Sequence, residues 1–108
     1  MKQTRLKPDD RRELIVITVL ALAQGMNYKK VRRVDIAEAL GISGPAVQYH
    51  FGTMPKLQRA VMRAACRRAA VGDENALRVV AQGLADGNSF AVRVSDEIKK
   101  KASEAICK

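Results

Sequence analysis

The chain has no Trp, only two Phe and two Tyr, one His, two Cys and three Pro in 108 residues. With so few aromatics the core must be aliphatic, which suits packed helices. Cys66 and Cys107 form no C-x-x-C, and with His50 as the single imidazole they supply neither a disulfide framework nor a tetrahedral zinc site. Reduced thiols and a cytoplasmic location are the expectation. No Gly-rich phosphate loop, paired catalytic carboxylates or nucleophile–base pair is found, which points away from an enzyme and from any cofactor. The longest apolar stretch, Leu14 to Ala23, is ten residues and too short to span a bilayer. Basic residues precede it, as in a signal peptide, but Asp9, Asp10 and Glu13 stand immediately before it where such a flank should be positive.

What the chain has in excess is positive charge. Twenty Lys and Arg face eleven Asp and Glu, for a net charge of +9. The surplus is uneven. Residues 1–70 carry fourteen bases and five acids, whereas residues 71–108 carry six of each. A surface so basic seeks an anionic partner, nucleic acid first. The neutral last third is left for packing or self-association.

Local signals divide the chain into short helices. Asp10 is the expected N-cap of a first helix, with Glu13 reaching back as in a capping box and Gly25 as the stop after about Gln24. Ile15 to Val19 has strand propensity, but the run continues through Ala23 without alternation, and its length decides for helix. Val34 to Leu40 is a short amphipathic helix ended by Gly41. Ser43 caps a second short helix, Gly44 to Phe51, in which Pro45 is tolerated in the first turn. Thr53 caps a longer helix, Met54 to about Val71, with Leu57, Val61, Ala64, Ala65 and Ala69 on its buried side. Asp73 to Ala85 and a helix capped by Ser95 complete an all-α bundle.

Ala37, Gly41 and Val47 stand four and six residues apart, the spacing of a helix-turn-helix: a small residue where the helices cross, a Gly in the turn and an aliphatic anchor. With Val47 inward, Pro45, Gln48 and Tyr49 lie outward and Ala46 lies at the flank. Gln48 can read adenine, Ala46 can touch a thymine methyl, and Tyr49 can reach a base edge or a phosphate. His50 suits a phosphate contact or the helix junction. Arg59, Arg63 and Arg67 form a stripe that suits either solvent or a backbone, and Lys2, Arg5 and Lys7 suit a minor-groove arm.

The sequence resembles the tetracycline-repressor-like (TetR) family of bacterial regulators over Arg11 to Ala65. The resemblance rests on Asp35-Ile36-Ala37-Glu38-Ala39-Leu40-Gly41-Ile42-Ser43 and on Val47-Gln48-Tyr49-His50-Phe51-Gly52-Thr53 with Leu57. It implies a DNA-binding head, and it departs from the family at Arg32-Arg33, Gln48 and Met54. Phosphate contacts are therefore expected to shift to Arg32, Arg33 and Lys56. Family members also carry a large inducer domain, for which two or three short helices leave no room.

The resulting expectation is a basic arm at 1–8, a helix-turn-helix domain at 9–72 and a C-terminal dimerisation extension at 73–108. The protein is expected to act as a homodimeric repressor, of a plasmid or phage, on a palindromic double-stranded DNA operator, with no membrane and no small-molecule ligand. The residues expected on the DNA are Arg32, Arg33, Ser43, Gly44, Pro45, Ala46, Gln48, Tyr49, His50, Thr53 and Lys56. The rival readings are a sequence-tolerant nucleic-acid-binding protein and a basic adaptor or inhibitor of an acidic protein.

Overall fold

The computed structural model describes residues 8–106, which form six α-helices and, among these residues, no strand. The helices are α1 (Pro8–Leu22), α2 (Arg33–Leu40), α3 (Gly44–Phe51), α4 (Met54–Ala69), α5 (Glu74–Asp86) and α6 (Asp96–Ile106), with short 3-10 turns at Tyr28–Lys30 and Ala91–Arg93. Lys2, Arg5 and Lys7 of the expected arm, and Cys107, lie outside the described residues. No helix among the described residues is long and apolar enough to cross a membrane.

α1 begins earlier than the capping signal implied. It starts at Pro8, so Asp10 is a first-turn residue and not the N-cap. Glu13 instead accepts an ion pair from Arg68 of α4, 3.1 Å away. The β-branched run folds as helix because Ile15, Val16, Val19 and Leu20 are buried together, at the spacing of one helical face. The Thr18 hydroxyl donates to the Leu14 carbonyl at 2.8 Å, which satisfies it within the helix.

The C-terminal helices belong to the same core as the head. α5 packs most extensively on α4 and α6 and also touches α1. Ala76, Leu77, Val79, Val80, Ala91 and Ala102 join Ile15, Leu20, Ile36, Val47, Leu57 and Val61 in one apolar cluster. Much of the face expected to join two subunits is thus covered within the chain. Leu77, Val80 and Ala102 are buried and Leu84 and Ile98 half-buried, whereas Ile106 remains exposed.

A polar clamp explains how the loop after α1 is held. The Gln82 side-chain oxygen accepts from the Tyr28 backbone N–H at 2.8 Å, while its amide nitrogen donates to the Ala23 carbonyl at 2.9 Å. Asn88 donates to the Tyr28 hydroxyl at 3.3 Å, so this buried ring keeps a partner at its polar end. One α5 residue thereby serves loop groups more than fifty positions away in sequence.

Gly83 sets how closely α5 approaches α4. A Cβ at this position would lie 2.5 Å from the Met62 Cε and 2.9 Å from the Ala91 Cβ. Both neighbours are fully buried. Gly83→Ala is therefore expected to destabilise the fold by about 1–3 kcal/mol through overpacking. The helix preference for Ala, about 1 kcal/mol, acts in the opposite direction and tempers the loss. Urea unfolding measures the net; the cost of Gly83→Ala with Met62→Ala should be less than the sum of the two single costs, and a gain from Gly83→Ala alone would contradict the packing argument.

Candidate nucleic-acid interface

The α2–α3 pair is built from local rules. Gly41 ends α2 in the left-handed conformation, φ +69°, and the Ile42 N–H returns to the Ala37 carbonyl at 3.0 Å. Only Gly adopts that conformation cheaply, so the chain reverses here without strain. The Ser43 hydroxyl then accepts the Ala46 N–H at 3.2 Å and starts α3. Ala37 and Val47 are buried where α2, α3 and α1 meet.

This seating leaves the outward residues of α3 free. Tyr49 is 83% exposed, and Pro45 and Gln48 are exposed beside it, while Gly44 and Ala46 are half-buried at the flank. The Tyr49 ring meets the edge of His50, with centroids 5.2 Å apart. Burial, and then the Arg11 and Arg12 guanidiniums, hold the His50 imidazole below its ordinary value. That shift favours the neutral imidazole, which can serve as a hydrogen-bonding group at the junction.

The basic residues around α3 differ in availability. Arg32 is the residue before α2, and its guanidinium folds back on Asp35 at 3.1 Å. The Asp35 carboxylate also accepts the Arg32 backbone N–H at 2.9 Å, half of a capping box in which an arginine stands where a hydroxyl usually does. Arg33 crosses to the start of α3, its Cδ 3.7 Å from where a side chain on Gly44 would begin. Thr53 caps α4 by accepting the Lys56 N–H at 3.4 Å, and the Lys56 side chain runs past Gly52 into solvent. Arg33 and Lys56 thus flank α3 without carboxylate partners among the described residues, whereas Arg32 is already paired.

Arg11 and Arg12 were not among the expected contact residues, yet their charges act on His50 at the C-terminal half of α3. Their place directly before the apolar run was the only sequence signal, and it does not say which helix they will face. Arg59, Arg63 and Arg67 are all exposed along α4. No group of three His, Cys, Asp or Glu among the described residues could hold a metal ion.

Two carboxylates tie this region to acid stability. The Arg32 guanidinium and then the Arg32 backbone N–H hold Asp35 below its ordinary value. Burial tends to raise Asp73, but the Ala76 N–H and Arg68 outweigh it, and its net shift is also downward. Groups held below their unfolded value of about 3.9 stabilise fully above that pH, and the contribution is lost as pH falls through the folded values. Asp35→Asn is therefore expected to lower the urea midpoint at pH 7, with the difference from the parent chain shrinking below pH 4. A difference independent of pH would show that the carboxylate charge is not what matters.

No family model, curated protein or solved structure matches the chain.

Proposed function

We propose that the protein is a sequence-specific DNA-binding regulator, a dimeric repressor that seats α3 in the major groove of each half of a palindromic operator. The observation that carries this reading is the exposed Gln48–Tyr49 face of α3, held by buried Ala37 and Val47 on either side of the Gly41 turn and flanked by Arg33 and Lys56. A short helix held rigidly with its polar face outward is the geometry by which a helix-turn-helix presents side chains to base edges. The tetracycline-repressor-like sequence pattern supports the same assignment. Ser43, Thr53 and the N-terminal turns of α3 and α4 suit phosphate contacts, because helix N-termini favour anions.

Selection of duplexes from a random library, followed by footprinting, tests the reading. A discrete footprint with two half-sites is expected, together with a dimer by sedimentation at the binding concentration. Uniform, salt-sensitive coating would replace it with sequence-tolerant binding, and absence of binding would exclude both. Arg33→Ala and Lys56→Ala are each expected to weaken selected and random duplexes alike, reducing the salt slope by about one unit per residue. Loss confined to the selected duplex would show that these residues read bases.

A further inference from the structure

Arg63, Arg67 and Arg93 surround a cleft of about 340 Å³ between α4 and the 3-10 turn at Ala91–Arg93, which Phe90, Val94 and Cys66 also line. No carboxylate lines it, and none of the three guanidiniums is ion-paired among the described residues. Arg68, one position from Arg67 on the same helix, is neutralised by both Glu13 and Asp73. Three like charges gathered around one hollow repel one another, and an anion placed among them relieves that repulsion.

The lining narrows the choice of anion. The Arg63 guanidinium lies over the Phe90 ring, 5.6 Å from its centroid, and so occupies a face on which a base would otherwise stack. A sugar–phosphate backbone would meet the arginines but leave Val94 and the rest of the apolar lining uncovered. An acidic segment carrying an apolar side chain satisfies both, with carboxylates on the rim and the apolar group against Phe90 and Val94. The volume is at the small end for ligand sites, which suits a single large side chain.

We propose that this cleft docks an acidic peptide segment through one apolar anchor residue, with Arg63, Arg67 and Arg93 holding its carboxylates. None of the residues lining the cleft belongs to α3, and the proposal stands whether or not α3 reads DNA.

The probe is a short fluorescein-labelled peptide of aspartates and glutamates with one central phenylalanine, titrated by anisotropy into the full chain. Arg63→Glu with Arg93→Glu should weaken binding at least about tenfold relative to Lys99→Glu with Lys100→Glu, which carries the same charge change outside the cleft. Replacing the central phenylalanine of the peptide by serine should also weaken binding, by about fivefold or more. In a Cys107→Ser chain the peptide should slow alkylation of Cys66 by iodoacetamide, a measurement that needs no change in the cleft. Equal binding of the two peptides, equal binding by the two charge-reversed chains, or an unprotected Cys66 would overturn the proposal. So would an equal loss of affinity for a random-sequence duplex in the cleft variant relative to its control, because the cleft would then belong to a phosphate track.

Discussion

Gln48→Ala with Tyr49→Ala is expected to cost between about thirtyfold and about ten-thousandfold in affinity for a selected operator while changing affinity for random DNA less than about threefold. Base-edge contacts typically discriminate by about 1–3 kcal/mol each, and the charge-driven part of binding does not pass through these two side chains. Both are exposed on α3 and neither supports the core, so the variant should unfold at the same urea concentration as the parent chain. Competition binding against a random duplex at fixed salt separates the two affinities. Proportional loss on both duplexes would assign the reading surface to some other element, with Arg11 and Arg12 of α1 the first residues to examine next.

Truncation after Gly72 is expected to abolish the fold. The deletion removes Leu77, Val79 and Val80, which are buried, and uncovers Met62 of α4 against Gly83. Burial of a Val or Leu side chain stabilises by about 1.5–3 kcal/mol, so these three residues alone approach the total stability of a typical domain, about 5–15 kcal/mol. The cut also removes Gln82, leaving the Tyr28 N–H and the Ala23 carbonyl without the partner that holds the loop. Circular dichroism of the 1–72 fragment should show little helix and no cooperative thermal transition. A cooperatively folded fragment would make the head autonomous and return α5 and α6 to the role of an added extension.

These expectations differ in how much of their basis lay in the sequence. Ser43, Thr53 and Ser95 cap the helices that begin after them, and Gly41 ends α2, because these devices link a residue to a backbone group only a few positions away. The buried side of α4 was equally legible, since its period repeats along one helix. The outward face of α3 followed once Val47 pointed inward. The N-cap of α1 differs from the expected Asp10 because the helix already begins at Pro8, and the Glu13 that favoured Asp10 pairs with Arg68 instead.

Local sequence rules decided the helices, most of their boundaries and the sign of the surface. Only the tertiary structure decided how the helices share a core. The Gln82 clamp, the fit of Gly83 against Met62 and the stacking of Arg63 on Phe90 join residues 21 to 59 positions apart. No capping motif or helical period spans such separations; which residues meet depends on the packing of all the helices at once. The burial of the neutral C-terminal helices has the same origin. Their apolar faces were visible in the sequence, but whether such a face covers its own chain or another copy is settled by the geometry of the neighbouring helix, here α4.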